Sequence, residues 1–315
     1  MPASEGPLAG VVQLDRAKDP RWKDIDMSRE SDQYDVVIVG GGPSGMSAAI
    51  RLKQLAEKDG KDVRVCVVEK APEVGAHTLS GAVIETRALD ELFPNWKEMG
   101  APVFEQVKVL YNEDGSVKGI ATNDVGVAKD GSPKILEKFK LVNHPMSFGI
   151  GFKELWQLDP ALHKPGYIEH TMGWPLERDQ YGGSFIYHIT DEGLPLAQVG
   201  FVVALDYKNP YLNPFQEFQR WKTHPSIRKQ LEGGKRLGYG ARALNEGGFQ
   251  TVPKLTFPGG CLVGCTASLL NVAKLKGVHN AMKSGMLAAE SIYPEINEEA
   301  SCLRKAFGRR NLASQ

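Results

Sequence analysis

The chain has 315 residues, which suits about two domains of ~100–200 residues, or one large α/β domain with an insertion. Apolar residues make up 42% and charged residues 24%, with 38 basic against 38 acidic side chains. A formal net charge of zero argues against nucleic-acid binding by bulk electrostatics, and the composition excludes disorder, fibre and disulfide scaffold.

Residues 1–33 are polar and read as a lead-in. They hold no apolar secretory core, and Glu5, Asp15, Asp19, Asp24 and Asp26 sit badly with a mitochondrial presequence. No run of about 18 apolar residues occurs, so no helix is expected to span a membrane. Residues 34–39 (Y-D-V-V-I-V) form a β-branched run short enough for a buried parallel strand. A glycine turn over 40–45, a helix over 46–57 with Met46, Ala49, Ile50, Leu52 and Leu55 at helical spacing, and a strand over 62–69 complete a βαβ unit. Residues 71–102 give no clear element. Strands are predicted at 107–111 and 117–122 around the turn 112–116.

From 147 to 206 the chain alternates like a half-buried antiparallel sheet. Phe148, Ile150 and Phe152 share a face, Ile186 and His188 alternate with Phe185 and Tyr187, and 199–205 is an apolar run. Asn213 and Pro214 start a short helix as N-cap and first residue, and Pro225 is expected to end it. A closing helix rich in small residues is predicted over 277–292. The cysteines at 66, 261, 265 and 302 make no C-x-x-C pair, and read as buried small hydrophobes of a reducing compartment.

The chemistry lies first in Gly40-x-Gly42-x-x-Gly45. It follows a strand and opens a helix, and Glu69 ends the next strand 24 residues past Gly45. The first glycine permits a tight turn, the second lets the backbone approach a pyrophosphate, and the third lets helix and strand pack closely. The helix N-terminus offers free N–H groups to phosphate. Glu69 would accept from ribose hydroxyls and disfavours a 2′-phosphate, hence NADP. The motif leaves FAD and NAD open. Its place near the N-terminus, with a small-residue helix returning at 277–291, points to FAD, although a plain core helix fits that pattern nearly as well. His77, Trp156, Trp174 and His188 read as packed or capping residues. Arg220, Lys222, Arg228, Lys229, Lys235 and Arg236 around Trp221 read as a solvated face before a docking patch.

Four long segments carry a more specific signal. They are 69–102 (from E-K-A-P-E-V-G-A-H-T-L-S-G to M-G-A-P), 173–185 (G-W-P-L-E-R-D-Q-Y-G-G-S-F), 233–248 (G-G-K-R-L-G-Y-G-A-R-A-L-N-E-G-G) and 255–290 (from L-T-F-P-G-G-C-L-V-G-C to K-S-G-M-L-A-A-E). Together they closely resemble the electron-transfer flavoprotein–ubiquinone oxidoreductase family. The resemblance implies an α/β fold: a Rossmann-like FAD-binding domain with an inserted antiparallel-sheet substrate or quinone domain. The corresponding division is a lead-in at 1–33, the first part of the FAD domain at 34–142, the quinone domain at 143–250, the closing FAD part at 251–293 and a tail at 294–315. The cofactor-binding set is Gly40, Gly42, Gly45, Glu69, Gly264 and Gly277. On the resemblance Gly182 and Gly183 match a quinone-contacting glycine pair, which pattern alone reads as a β-bulge or turn.

The family receives electrons from reduced electron-transfer flavoprotein and passes them to ubiquinone. It does so on FAD and a four-iron cluster, peripheral to the mitochondrial inner membrane or a bacterial cytoplasmic membrane. No protein acid or base is implied for one-electron flavin transfer. The stretches 74–95 and 257–276, the second with Lys274 and Lys276, resemble its monotopic membrane segments, though on pattern alone they read as core. Two internal segments of the family and its cluster module have no counterpart in the sequence. A four-iron cluster takes four thiolates, so this chain is not expected to hold one, nor to sustain the full electron route alone. The alternatives are an inactive or partial fragment and a soluble FAD- or NAD-dependent oxidoreductase.

Overall fold

The computed structural model describes residues 32–72, 74–75, 84–99, 140–142, 144–272 and 276–310, with side chains as far as 296. The strands expected at 107–111 and 117–122, and His77 and Lys274, lie outside the described residues.

The expected βαβ unit is present. Strand β1 (Val36–Val39) runs parallel to β2 (Val65–Val68), with Val36 opposite Val65 and Val39 opposite Val68. Between them α1 spans Pro43–Lys58, with Gly42 as an extended N-cap and Pro43 in its first turn, where a missing N–H costs nothing. Leu52 and Ala56 of α1 are buried with Val63, Ala289 and Tyr293. Val37, Val39 and Val68 remain exposed on the two strands.

The closing helix, α5 once the intervening helices are counted, runs over Val278–Arg310 and continues through Pro294, beyond the expected end at 292. A proline removes one helical hydrogen bond. Here Tyr293 and Ile296, on either side of it, stay packed on the α1 cluster, and the Tyr293 hydroxyl donates to Asp59 at 3.0 Å. That packing carries the helix past the proline. A short helix missing from the sequence reading, α2 (Arg87–Leu92), buries Ala88 and Leu92 against Met282 and Met286 of α5.

The second element group is a five-stranded antiparallel sheet. Its strands are β3 (Phe148–Gln157), β4 (Ile168–Thr171), β5 (Gly182–Asp191), β6 (Leu194–Ala204) and β7 (Lys235–Asn245), in the order β4-β5-β6-β3-β7. The β5–β6 hairpin turns on Glu192 and Gly193, both at positive φ, as a two-residue hairpin requires. Helix α3 (Pro214–Lys222) starts as expected, with Asn213 Oδ1 accepting from the N–H groups of Phe215 and Gln216 at 3.1 and 3.2 Å. Pro225 does more than end it. It opens a further helix, α4 (Pro225–Leu231), because proline suits the first turn as well as it suits a stop.

Both helices cover one face of the sheet. Phe218, Trp221, Ile227 and Leu231 bury against Ile186, Val199, Phe201 and Val203, with Ile150 and Phe152 alongside. The register sends the alternate residues to the other face. Gly183 pairs with Val202, which pairs with Gly151; Phe185 pairs with Gly200, which pairs with Lys153. On that far face the Phe185 ring lies over Gly200 and the Glu246 side chain over Gly149, whereas a Cβ on Gly183 would meet only the Thr171 carbonyl oxygen. These elements belong to one compact unit beginning at Asp35.

Candidate functional site

The glycine loop is built as the motif requires. Gly40 sits at φ +107°, a region open to glycine alone at little cost, and its N–H donates to Val68 O at 2.7 Å. A Cβ on Gly45 would run into the Gly40 carbonyl oxygen and lie 3.1 Å from Ile38 Cγ2. Helix and strand therefore close on that position. Gly42 is the opposite case, since a Cβ there would meet nothing within 4 Å, and no side chain caps α1.

Glu69 reaches back to this loop. Its Oε2 accepts from Gly41 N at 2.6 Å and its Oε1 from Ala71 N at 2.8 Å. These two bonds hold the carboxylate against the glycine loop. The sequence reading kept Glu69 for ribose alone and missed this bracing role.

Gly264 joins the loop through a 3₁₀ turn, Gly264–Ala267. It sits at φ +66°, and a Cβ there would lie 2.5 Å from Ser44 Oγ. Its N–H donates to Ser284 Oγ at 2.9 Å. The turn is thus pressed between the start of α1 and α5. Gly285 of α5 meets the Ser44 carbonyl just as closely. Ser44, Ser284 and Gly285 were missed as site residues, although the small-residue run K-S-G-M was the visible signal. Gly277 is not drawn into the loop. Its tight neighbour is Leu270, 3.0 Å from where its Cβ would be, and its carbonyl accepts from Ala281 N at the start of α5.

Gly182 and Gly183 open β5 in regular register with Val203 and Val202, so neither a bulge nor a turn explains them. Gly182 is a packing position, because a Cβ there would strike Leu176 Cδ1 and the Val202 carbonyl oxygen. Gly183 is freer, with only Thr171 O at 3.3 Å.

The far face around this pair carries buried ionisable groups. Burial lowers the Lys153 ammonium to about 8 and raises the Tyr187 phenol to about 12. The Tyr187 hydroxyl lies 2.7 Å from His170 Nε2, and burial, then Lys276, holds His170 below its usual value. Lys153 sets a stability signature. Between about pH 8 and 10.5 the unfolded chain holds a proton that the folded chain has shed, so stability rises with pH across that window. Below pH 8 the full cost is present. Lys153→Met should therefore stabilise the protein at pH 7 by about 3 kcal/mol, with the gain vanishing above pH 10.5. Denaturant melts across pH measure this.

The residues read as structural are so placed. His188 is buried, with Nδ1 accepting from Lys164 N at 3.1 Å and Nε2 3.2 Å from Gln230 Oε1. Trp156 Nε1 donates to Glu154 at 2.8 Å. Trp174 is half-exposed beneath the Arg220 guanidinium. The basic cluster is a solvated face at Arg220, Arg228, Lys229, Lys235 and Arg236, and only Lys222 is drawn inward. Trp221 is buried and donates to Thr171 Oγ1 at 2.9 Å, while Lys222 and Arg236 both pair with buried Glu154.

Among the described residues no group of three or more His, Cys, Asp or Glu side chains could hold a metal. Cys66 and Cys261 are half-buried and Cys265 is exposed. No helix among them is long and apolar enough to cross a membrane.

The fold and loop define the class: a Rossmann-type dinucleotide-binding unit joined to an antiparallel sheet covered by helices on one face. Residues 38–109 match the NAD(P)-binding Rossmann-like domain model. The structure of a geranylgeranyl bacteriochlorophyll reductase-like protein from Thermoplasma acidophilum shares the fold, with a TM-score of 0.58 at 18% identity, covering 84% of this chain and 79% of that one.

The sheet is more specific. Residues 148–244 match the ubiquinone-binding model of electron-transfer flavoprotein–ubiquinone oxidoreductase. The mitochondrial electron transfer flavoprotein-ubiquinone oxidoreductase of Caenorhabditis elegans is 58% identical over 90% of this chain, and that of Mus musculus is 48% identical over 90%. The chain is a relative of these oxidoreductases, as its four long motifs led us to expect. It spans 62% of the first protein's length and 60% of the second's. The first match extends over 371 residues, more than the 315 of this chain, so the relatives carry internal residues that it lacks.

Proposed function

We propose that the chain binds FAD at the glycine loop and ubiquinone on the far face of the sheet, passing electrons from reduced electron-transfer flavoprotein to ubiquinone at the mitochondrial inner membrane. What carries this reading is the coincidence of the ubiquinone-binding match, 148–244, with the opening of β5 at Gly183, where a Cβ would meet only the Thr171 carbonyl oxygen at 3.3 Å. A flat ring can approach backbone closely only where side chains are missing.

The loop fits the dinucleotide. Open space beside Gly42 and the uncapped start of α1 suit a pyrophosphate. The Glu69 carboxylate, just past the end of β2 and bonded to the loop, suits ribose hydroxyls as an acceptor. Gly264, pressed against Ser44 and bonded to Ser284, closes the site from the other side. Bound there, the flavin supplies the electron chemistry; the chain's residues bind it, orient it and exclude water. We assign 34–142 and 251–293 to the flavin domain and 143–250 to the quinone domain. Asn245 supports a close joint between them, donating across that boundary to Cys265 O at 2.9 Å.

Peripheral membrane contact is part of the reading. Among the described residues of 74–95, Leu89, Leu92 and Phe93 turn inward, whereas Val74 is exposed and joins the half-buried apolar residues of 257–272 as a candidate for contact.

Gly183→Ala tests the quinone site with little structural confusion. It should weaken binding of a short-chain ubiquinone about tenfold, roughly 1.4 kcal/mol, and leave the melting temperature nearly unchanged. Protein fluorescence quenching by the quinone and a thermal melt are the measurements. Unmodified protein that retains no flavin and shows no saturable quinone binding would overturn the reading.

A further inference from the structure

One carboxyl on the far face has no role in the reading above. Glu246 follows β7, its N–H donating to Ser147 O at 2.9 Å. Its side chain folds over Gly149, where a Cβ would lie 2.5 Å from Oε2 and 2.8 Å from Cδ. Oε2 is fully enclosed, and among the described residues no hydrogen bond reaches it. A buried oxygen without a donor is costly, and more so when charged.

Its position next to the quinone pair follows from the register. Gly149 pairs with Ala204, whose N–H donates to Tyr181 O at 2.9 Å. Tyr181 immediately precedes Gly182 and Gly183. The charge of Glu246 acts on the Tyr181 phenol, second to burial in raising it, so the two side chains are neighbours. The far face thus sets Gly149, Gly183 and the Glu246 carboxyl side by side, while Gly182 faces the helix-covered side with Val203 and Leu176.

We propose that Glu246 donates a hydrogen bond to one quinone carbonyl and delivers the proton which that oxygen takes up on reduction. This rests on the quinone reading of the same face. A quinone carbonyl is an acceptor only, and a neutral carboxyl is a donor. The carboxyl is lifted above the usual carboxylate range by burial, the cause that acts on it; Tyr181 is the titratable group facing it. Reduction to quinol takes two electrons from the reduced flavin and two protons. At the carbonyl beside Glu246 the carboxyl O–H bond breaks as the quinone O–H bond forms, and the oxygen across the ring takes its proton from solvent. The carboxylate left behind is recharged from water beside half-exposed Tyr181, and the oxidised flavin returns its protons to solvent.

The test uses the full chain loaded with FAD, as wild type, Glu246→Gln and Glu246→Asp. Gln keeps size and a donor but has no transferable proton. Infrared difference spectra on adding a short-chain ubiquinone to oxidised protein should show a carboxylic-acid carbonyl band that shifts in wild type and is missing in the Gln variant. After chemical reduction of the flavin, stopped-flow oxidation by the same quinone should slow about 10²-fold in the Gln variant, in line with general acid catalysis. The Asp variant should recover part of the rate, and the Gln variant should bind quinone within about threefold of wild type (~0.7 kcal/mol). If quinone binds wild type and the Gln variant changes neither the band nor the rate, the proton role is overturned while the quinone site stands. If quinone does not bind wild type at all, the quinone reading fails and this inference fails with it.

Discussion

Gly45→Val should collapse the βαβ unit, whereas Gly42→Val should leave it folded and unable to retain FAD. The two positions lie three residues apart in one motif, yet their surroundings are opposite. A side chain at Gly45 has nowhere to go: the Gly40 carbonyl oxygen and Ile38 Cγ2 already occupy its place, and the first of these is backbone. Overpacking costs about 1–3 kcal/mol where side chains can yield, occasionally more. Here α1 would have to move off β1, and the bond from Gly40 N to Val68 O would be strained with it. We expect a loss of about 3 kcal/mol or more and a much lower melting temperature.

At Gly42 the backbone is extended, at φ −75° and ψ 179°, which any residue adopts, and a Cβ meets open space. A valine there should change the melting temperature little. It would project where a pyrophosphate must approach the backbone, so bound flavin should fall from near one per chain to nearly none. Absorbance of the purified variants gives the flavin ratio, and a thermal melt gives stability. Equal flavin retention in Gly42→Val and wild type would falsify the assignment of this loop to the dinucleotide.

The parts of the fold legible in the sequence are those in which a local pattern and a tertiary need coincide. The run Y-D-V-V-I-V, the glycine loop and Asn213–Pro214 each say by themselves what their neighbours must be. Strand β7 was missed as a strand because K-R-L-G-Y-G-A-R-A-L-N alternates poorly, with two glycines and several exposed residues. Its place is set by pairing with β3 along its whole length. Helix α2 was missed because six residues carry too little periodicity, and its burial depends on Met282 and Met286, far along the chain. In the candidate site Gly40 and Gly45 were readable from spacing. The bracing of Gly41 by Glu69 and the seat of Gly264 against Ser44 depend on where segments meet. Glu246 carried no signal, since an N-E-G-G string shows neither burial nor a missing donor.

Removing Glu154 should be among the most destabilising single changes outside the glycine loop. Its side chain is 1% exposed, and it is the shared partner of two cations: Lys222 Nζ lies 2.7 Å from Oε2 and Arg236 3.3 Å from Oε1. Trp156 Nε1 donates to it as well. Arg236 is nearly half exposed and can turn to water. Lys222 cannot, for its side chain is only 12% exposed and its ammonium lies over the rings of Phe218 and Trp156. Glu154→Ala therefore strands a buried ammonium, a loss of about 3–5 kcal/mol. Burial already lowers the Lys222 ammonium, and Glu154 is what opposes that shift, so the variant should lower it further. A folded chain that sheds this proton before the unfolded chain does gains stability as pH rises. The defect of Glu154→Ala should thus shrink on going from pH 7 toward pH 10. The double variant Glu154→Met with Lys222→Met should recover most of the loss at pH 7, because apolar packing can replace a buried pair at little cost. Urea melts of the three proteins at both pH values are the measurement. A Glu154→Ala loss below about 1 kcal/mol, the range of surface pairs, or no recovery in the double variant, would show that the stability of this sheet does not depend on the pair.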